Sequence, residues 1–271
     1  MKHDVPEMPP VMILCGGRGS RLREVTELLP KPMVPIGGLP IVWHIMKSYA
    51  AFGCRRFILC LGYKREEFVD FFLNYRARTT DITLTLGNQP QVTFHGSEDE
   101  ADWQVTLAGT GEDTMTGGRV LRASRYLKPE DREFFLTYGD GVADIDIAAL
   151  YQTHRKGGKL LTISAVHPEG RFGELALEGD QVLRFAEKPL RRPGYINGGF
   201  MTVDREIVTR YLMNKPDCFF EAAPMAAIAA DGEMQAYRHE GFWQCMDNPR
   251  EYAMLNELWN SGNAPWCKYW K

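Results

Sequence analysis

Glycines and basic side chains follow the first apolar run of this chain, and they indicate phosphate chemistry. Residues 11–14, VMIL, predict a short buried strand, and CGGRGSRL at 15–22 follows it directly. The glycines let a ligand approach the backbone, whose N–H groups can then surround an anion. Arg21 offers a planar fork and Lys31 a compact ammonium, and both suit phosphate oxygens. The stretch therefore predicts a phosphate-binding loop where the first strand ends.

Two common phosphate-binding loops do not match this stretch. The P-loop needs a lysine directly after its last glycine, and there is no lysine near these glycines. The dinucleotide-binding pattern needs a third glycine at position 22, which is Leu22. A glycine-rich turn beside two solvated basic side chains is the structural alternative.

A candidate metal ligand lies at the end of a later predicted strand. Residues 134–138, FFLTY, predict a buried strand, and Asp140 follows them between two glycines. Ligands bind at the carboxyl ends of parallel strands, so a carboxylate at this place can reach a metal. An Asp-Gly turn is the alternative interpretation. Asp144 is predicted to cap a helix that begins just after it.

Two further segments allow a binding role beside a structural one. The loop 109–118 leads into a predicted basic helix at 119–127, whose N-terminus can hold an anion or simply be capped. Asn197, followed by two glycines, can offer its amide to a polyol. Asn-Gly is also the commonest hairpin turn, and the bare sequence favours that interpretation.

Strand and helix patterns alternate through most of the chain, which predicts a mainly parallel sheet with right-handed crossovers. Residues 81–109 break the alternation and predict an antiparallel excursion, and a hairpin is predicted at 174–185. We expect residues 1–10 to form a loose leader and 11–271 a single domain. Helices are predicted at 41–52, 66–78, 204–213, 219–231 and 249–260.

Composition restricts the class of protein. The chain has 271 residues and a net charge of -3, so it has no basic field for nucleic acid. It has no apolar run of membrane-spanning length and no signal-peptide pattern at its start. Its six cysteines form no C-x-x-C pair, which predicts free thiols in a reducing, cytoplasmic compartment. The aromatic tail at 264–271 is predicted to pack on the body or on a partner subunit.

The double motif GGRGSRL at 16–22 and PKPM at 30–33 resembles the signature of the sugar-nucleotidyltransferases. TMTGGR at 114–119, YGDGVAD at 138–144 and WQCMD at 243–247 resemble the cytidylyl branch of that family. The resemblance implies a Rossmann-like α/β fold of the nucleotide-diphospho-sugar transferase type. Such a fold has a mixed, mainly parallel sheet flanked by helices, with a small antiparallel excursion.

The reaction implied by the resemblance joins CTP to α-D-glucose 1-phosphate, with Mg²⁺, and gives CDP-glucose and pyrophosphate. The attacking phosphate oxygen is already ionised at neutral pH, so no general base is needed. The difficulty is to bring two anions together, which calls for cations and preorganised N–H donors around the α-phosphorus.

The matched motifs imply a role for each site residue. Arg21 would neutralise the leaving pyrophosphate, and Lys31 would stabilise charge at the α-phosphate. Mg²⁺ would be held by Asp140 and Asp247. The implied nucleotide-binding residues are Leu14, Cys15, Gly16, Gly17, Gly19, Ser20, Arg21, Lys31, Thr114, Arg119 and Gly139. The implied sugar-phosphate residues are Glu187, Lys188, Asn197 and Gly198.

Departures from the family pattern leave alternatives open. They occur at Cys15, Ser20, Leu29, Leu39, Glu174 and Asn248. The acceptor can be another sugar or a cyclitol phosphate, and the nucleotide dTTP or UTP. From another class, the chain can be a catalytically silent subunit that binds sugar nucleotide. The family also implies a homo-oligomer, with a hexamer as one assembly it can form.

Overall fold

A mixed seven-stranded sheet forms the centre of the part of the chain that this computed structural model describes, residues 8–19, 28–96, 100–168, 174–178, 181–186, 194–213 and 217–270. The strands are β1 (Val11–Leu14), β2 (Pro35–Ile36), β3 (Leu39–Pro40), β4 (Arg56–Leu61), β5 (Asp81–Thr85), β6 (Gln91–His95), β7 (Gln104–Gly109), β8 (Glu133–Tyr138), β9 (Gly141–Ala143), β10 (Leu161–Val166), β11 (Glu174–Glu178), β12 (Gln181–Ala186), β13 (Ile196–Asp204), β14 (Met234–His239) and β15 (Trp243–Cys245).

Helices cover both faces of the sheet. They are α1 (Ile41–Ala50), α2 (Arg65–Leu73), α3 (Tyr75–Thr79), α4 (Thr116–Ala123), α5 (Ile147–Gly157), α6 (Ala223–Ala230) and α7 (Pro249–Asn260). Short 3-10 turns occur at Lys31–Met33, Ser124–Tyr126 and Pro265–Cys267, and a π-helical turn at Val208–Leu212. None of the described helices has the length and apolar content needed to span a bilayer.

The sheet order is β14-β10-β13-β8-β1-β4-β7, and β13 alone runs antiparallel to its two neighbours in this sheet. Strand β1 lies in the middle and pairs in parallel with β4 and β8, with Ile13 opposite Leu59 and Thr137. All four residues of β1 are buried, as expected for a strand covered on both faces. The predicted mixed, mainly parallel α/β sheet is confirmed.

The side chains of β1 alternate between two apolar cores. Val11 and Ile13 point into a core shared with α1, α7 and the aromatic tail. Met12 and Leu14 point into a core shared with α4 and α6. Because both cores press on one short strand, the loop that follows β1 starts from a rigid base.

The predicted antiparallel excursion at 81–109 is only partly correct. Strands β5 and β6 form the antiparallel hairpin, but β7 pairs in parallel with β4 as the edge strand of the main sheet. The alternation of apolar side chains predicts a strand but carries no information about its direction, which here depends on the pairing of Val105 with Phe57. The predicted hairpin at 174–185 is confirmed as β11 and β12.

Several helix boundaries differ from the prediction for local reasons. The helix predicted at 66–78 breaks at Asn74, whose side chain donates a hydrogen bond to the carbonyl of Asp70. The helix predicted from 119 begins at Thr116, and its first turn, which contains two glycines, packs closely on residue 218. A Cβ on Gly117 would lie 2.6 Å from the sulfur of Cys218.

Two predicted helices near the C-terminus are shorter than expected, and one cap is misassigned. The helix predicted at 204–213 contains the π-helical turn, and the one predicted at 219–231 is limited to α6. The α5 cap is Asp146, whose Oδ1 accepts a hydrogen bond from the Ala149 amide at 2.8 Å. The predicted cap, Asp144, instead lies 3.1 Å from Nε2 of His239.

The two ends of the described chain both pack on this body. Pro9 and Pro10 are buried, and the carbonyl of Pro10 accepts a hydrogen bond from the Phe135 amide. The aromatic tail packs on α1. Of the two predicted alternatives, packing on the body of this chain and packing on a partner subunit, the described contacts show the first. Trp266 is almost fully buried, and its indole N–H donates to Nδ1 of His44 at 3.2 Å. Since Nε2 of His44 lies 2.9 Å from the Ile36 carbonyl, these contacts select the neutral ring with its proton on Nε2.

This buried histidine predicts acid sensitivity. Burial is the main cause that lowers the pKa of His44 from 6.5 to about 4. Since the pKa is lower in the folded chain, its contribution to stability is complete above pH 6.5 and is lost as the pH falls toward 4. Between pH 7 and pH 5 we expect a loss of about 2 kcal/mol in the free energy of unfolding. Urea titrations at the two pH values measure it.

The matched variant is His44→Gln, which keeps hydrogen-bonding capacity but does not titrate in this range. Its free energy of unfolding should fall between pH 7 and pH 5 by about 2 kcal/mol less than that of the unmodified chain. Equal falls in both proteins would contradict the assignment of the effect to His44.

Candidate active site

A cavity of about 480 Å³ opens where β1 and β8 end. It lies between the loop after β1 and the segment that leads into α4. The described residues that line it are Leu14, Cys15, Gly16, Gly17, Arg18, Gly19, Lys31, Pro32, Glu112, Asp113, Thr114, Met115, Thr116, Arg119, Tyr138, Gly139, Asp140, Phe219 and Asp247. Eleven residues predicted from the sequence are thereby brought to one place.

Lys31 holds two carboxylates together on the floor of the cavity. Its Nζ donates to Oδ2 of Asp140 at 2.7 Å and to Oδ1 of Asp247 at 2.5 Å. The lysine begins the 3-10 turn that follows Pro30, and it is buried. The three side chains come from positions that are 109 and 216 residues apart in the chain. An ammonium at this depth needs such partners, because an unpaired buried charge is costly.

The backbone around both carboxylates is fixed independently. Strands β9 and β15 pair antiparallel, with Gly141 opposite Cys245, and the Met246 amide donates to the Asp140 carbonyl at 2.8 Å. The Asp247 amide donates to Oε2 of Glu251 at 2.6 Å, in the first turn of α7. The two carboxylates are therefore placed by sheet pairing and by a helix terminus.

The surroundings keep Lys31 protonated. Burial by itself would lower the pKa of its ammonium, but the nearby carboxylates of Asp140 and Asp247 outweigh burial and raise it above its usual value. Lys31 therefore acts as a fixed positive charge at neutral pH and does not accept a proton.

Arg119 holds the loop after β1 in place through hydrogen bonds to backbone carbonyls. Its guanidinium donates to the carbonyls of Leu61, Gly111, Gly16 and Glu112 at 2.7–3.2 Å and to the hydroxyl of Thr110 at 2.9 Å. The loop can approach it only as glycine, because a Cβ on Gly16 would lie 2.0 Å from Cζ of Arg119. Burial lowers the pKa of the guanidinium.

The other wall of the site is equally close-packed. A Cβ on Gly139 would lie 3.0 Å from the sulfur of Cys15 and 3.1 Å from the Leu14 carbonyl. The Gly139 amide donates to that carbonyl at 3.0 Å. Burial raises the pKa of the Cys15 thiol, so this cysteine stays protonated beside the loop. A protonated thiol is a poor nucleophile. The geometry therefore suits binding of a ligand and not attack by this cysteine.

Comparison with known proteins agrees with this geometry. A family model described as "Nucleotidyl transferase" matches residues 10–260. The chain belongs to the nucleotidyl transferase family. Nucleotidyl transferases generally use a divalent metal, with a nucleoside triphosphate and a sugar 1-phosphate as substrates.

Individual nucleotidyl transferases resemble this chain over nearly its whole length. Glucose-1-phosphate cytidylyltransferase of Salmonella typhi is 43% identical over 260 residues, covering 96% of this chain and 99% of that protein. A probable glucose-1-phosphate cytidylyltransferase of Bacillus subtilis (strain 168) is 39% identical, covering 96% and 99%. The crystal structure of HddC from Yersinia pseudotuberculosis has a TM-score of 0.67 at 24% identity, covering 93% of this chain and 100% of that one, which supports the fold.

The donors present suit the divalent metal of this nucleotidyl transferase family. The carboxylates of Asp140 and Asp247 share one ammonium, so they are close enough to share a cation, and carboxylate oxygens are the ligands that Mg²⁺ prefers. Cys245, Asp247 and Glu251 also place one ligand atom each within 4.8 Å of one another. A thiolate favours softer ions, so the Asp140–Asp247 pair is the better match to a hard divalent ion.

Two predicted nucleotide contacts are engaged with the protein itself. The Thr114 hydroxyl donates to the Thr110 carbonyl at 2.7 Å and accepts from Arg122 at 2.6 Å. Arg119 faces the cavity, but the hydrogen bonds described above join it to the protein. Both residues lie where a nucleotide could reach them, and direct contact remains a prediction.

The predicted sugar-binding residues Asn197 and Gly198 lie beside the cavity and do not line it. They belong to β13, so their interpretation as a hairpin turn is wrong. Oδ1 of Asn197 accepts from the Gly199 amide at 2.9 Å, and the Gly198 carbonyl accepts from the Trp243 indole at 2.7 Å. Glycine is required here because a Cβ on Gly199 would lie 2.5 Å from the Tyr138 ring, which itself lines the cavity.

Four of the residues predicted from the sequence, Ser20, Arg21, Glu187 and Lys188, lie outside the described residues.

Other cavity residues were not predicted. Tyr138 directly precedes the predicted Gly139 and could have been found from that position. Its hydroxyl donates to Oε1 of Glu221 at 2.6 Å, while Oε2 of Glu221 accepts from Thr116 at 2.5 Å. Phe219 also lines the cavity, and it lies about 80 residues after Tyr138 in the chain, so no local sequence signal points to it.

The close packing of the loop after β1 gives a stability test with a matched control. A Cβ on Gly17 meets nothing within 4 Å, whereas one on Gly16 collides with Arg119. We expect Gly16→Ala to reduce the free energy of unfolding by about 1–3 kcal/mol, as overpacking does. Gly17→Ala should change it by less than about 0.5 kcal/mol.

Urea unfolding of the two variants measures this difference directly. If both variants lose the same stability, or neither loses any, the contact between the loop and Arg119 is not the constraint that the geometry indicates.

Proposed function

We propose that this nucleotidyl transferase is a glucose-1-phosphate cytidylyltransferase, which makes CDP-glucose and pyrophosphate from CTP and α-D-glucose 1-phosphate. The observation that carries the proposal is 43% identity to a relative of that name across 96% of this chain. The site is consistent with it, because a glycine cradle, a fixed ammonium and a carboxylate pair suit transfer of a phosphate-bearing group.

The chemical step needs charge stabilisation and no base. The phosphate of the sugar is ionised at neutral pH and attacks the α-phosphorus of CTP in line, while pyrophosphate leaves. The carboxylates keep Lys31 protonated, so it supplies constant positive charge as negative charge develops at the α-phosphate. The rigid loop after β1 holds the nucleotide in place, which reduces the entropic cost of bringing two anions together.

Asp140 and Asp247 would hold Mg²⁺, which supplies neutralisation of the nucleotide phosphates when it is bound. Their oxygens are now shared with Lys31. The ammonium of Lys31 contacts the same two carboxylates, so its charge lies beside the position that the metal would take.

The remaining roles follow the matched motifs. We assign Arg21 to the leaving pyrophosphate, and Thr114, Arg119 and Gly139 to the cytidine. Glu187, Lys188, Asn197 and Gly198 are assigned to the sugar phosphate. The position of Asn197 beside Tyr138, which lines the cavity, supports the last assignment.

Other interpretations have less support. The high identity to cytidylyltransferases favours CTP and glucose 1-phosphate over dTTP, UTP or another acceptor phosphate. A catalytically silent subunit has no need of a buried lysine clamped by two carboxylates beside a phosphate cradle. The retention of all three side chains therefore favours an enzyme.

We further propose that residues 11–271 act as one catalytic domain, since Lys31 and Asp247 meet in one site. The predicted homo-oligomer, for which the family pattern implies a hexamer, is supported by the β5–β6 hairpin. Ile82, Leu84 and Val92 share one face of it and are 38%, 53% and 51% exposed. An isolated hairpin with an uncovered apolar face is marginally stable, so contact with a second copy of the chain would stabilise it. Light scattering of the purified chain measures its oligomeric state.

Six free cysteines fit the predicted cytoplasmic location.

The direct test is pyrophosphate release with Mg²⁺, α-D-glucose 1-phosphate and each of CTP, UTP, dTTP and ATP. We expect turnover with CTP, and at least a tenfold lower kcat/KM with each of the others. An Asp140→Ala/Asp247→Ala variant purified in parallel reports contaminating activity.

Turnover with dTTP or UTP in preference to CTP would overturn the assignment of the nucleotide. CTP turnover with another sugar or cyclitol phosphate, but not with glucose 1-phosphate, would overturn the acceptor.

A further inference from the structure

Arg18 connects two walls of the cavity. It lies between Gly17 and Gly19 in the loop after β1, and its Nη2 is 3.0 Å from Oε1 of Glu112 and 3.2 Å from Oδ1 of Asp113. All three side chains line the cavity, and that of Arg18 is 62% exposed. Its guanidinium also lies 5.8 Å from the centroid of the Tyr63 ring. The cation thus faces the space in which the nucleotide must be placed.

Carboxylates occupy several of the cations in the described part of the cavity. Among the described residues that line it, the cations are Arg18, Lys31 and Arg119, and the carboxylates are Glu112, Asp113, Asp140 and Asp247. Each of these carboxylates opposes the charge of a nucleoside triphosphate, so a cation that leaves its carboxylates for a phosphate would strengthen binding.

The three cations differ in how easily they can change partners. Arg119 is buried and donates to four backbone carbonyls, so its movement would release the loop after β1. Lys31 is buried between two carboxylates. Arg18 has exposed carboxylates as partners, and an exposed ion pair contributes little because water screens it. Its exchange for a phosphate is therefore the least costly of the three.

We propose that Arg18 is a phosphate-binding residue of this site, held by Glu112 and Asp113 until the β- and γ-phosphates of the nucleotide take their place. This inference rests on the proposed function only for the identity of the nucleotide. A guanidinium binds phosphate through paired, charge-assisted hydrogen bonds, which are stronger than a screened surface ion pair. Glu112 and Asp113 then act as internal competitors that set the affinity for the triphosphate.

A purely structural role makes a different prediction. If Arg18 only braces the two loops, removing the arginine and removing its carboxylate partners break the same contact, and both changes weaken binding. If the carboxylates compete with phosphate, the two changes act in opposite directions. The sign of the effect therefore separates the two roles.

The experiment is calorimetric titration of the full chain with Mg²⁺ and CTP, with pyrophosphate and with cytidine, in the absence of sugar phosphate. We expect Arg18→Gln to weaken CTP and pyrophosphate about tenfold and to leave cytidine unchanged, because cytidine has no phosphate. Arg18→Lys should retain part of the affinity. Glu112→Gln/Asp113→Asn should tighten CTP severalfold. Arg125→Gln, which removes an exposed arginine that also lies over a tyrosine ring, is the matched control and should change nothing.

A triple variant excludes a general effect of charge. In the Arg18→Gln background, neutralising Glu112 and Asp113 should give a clearly smaller gain in CTP affinity than in the unmodified background. Equal gains in both backgrounds would overturn the exchange, as would tight CTP binding by Arg18→Gln or an equal loss of cytidine binding. If the proposed nucleotide is wrong, the unmodified chain fails to bind CTP, and the pyrophosphate titrations still decide the role of Arg18.

Discussion

The ammonium of Lys31, held between the carboxylates of Asp140 and Asp247, is the interaction on which the rest of this site depends. The buried ammonium requires nearby negative charge, and the two half-buried carboxylates repel each other unless a cation lies between them. Each of the three groups is thus tolerated at this depth because of the others. They also connect an early turn, the middle of the sheet and the segment before the last helix. The site is therefore complete only when these distant segments have packed together.

The surrounding elements keep this arrangement in register. Strand β1 is packed between two apolar cores, so the loop after it begins at a fixed position at the end of the sheet. Arg119 then holds the carbonyls of that loop, and the pairing of β9 with β15 places the backbone of both aspartates. In α7, Glu251 binds the Asp247 amide while its own amide donates to the side chain of Asn248. Preorganisation of this kind is what transfer between two anions requires.

Local signals predicted much of this from the sequence. The apolar run at 11–14 and the alternation of strands and helices predicted β1 and the mainly parallel sheet, and Pro249 marked the start of α7. The matched motifs placed Lys31, Asp140 and Asp247 in the site, although their mutual contact spans 109 and 216 residues and has no local signal. The direction of β7 depends on a pairing with β4 that alternation does not encode. The hairpin interpretation of the Asn-Gly pair was wrong, because the glycines there are required by neighbouring strands: Gly198 packs on Val166 and Gly199 on Tyr138. Arg18 was overlooked because its partners are about a hundred residues away.

The central claim is that Lys31 stabilises charge in nucleotidyl transfer, and the kcat of Lys31→Ala with CTP and glucose 1-phosphate tests it most directly. Loss of one preorganised charge donor predicts a kcat lower by about 10²–10³-fold. The variant should also unfold at a lower temperature, because Asp140 and Asp247 lose their shared partner, so kcat is measured at a temperature at which circular dichroism shows that the variant is folded. Lys156→Ala, which removes an exposed lysine of α5, is the control for loss of positive charge elsewhere. A folded Lys31→Ala variant with a kcat close to that of the unmodified protein would contradict the account, because the lysine would then serve only to hold two carboxylates together.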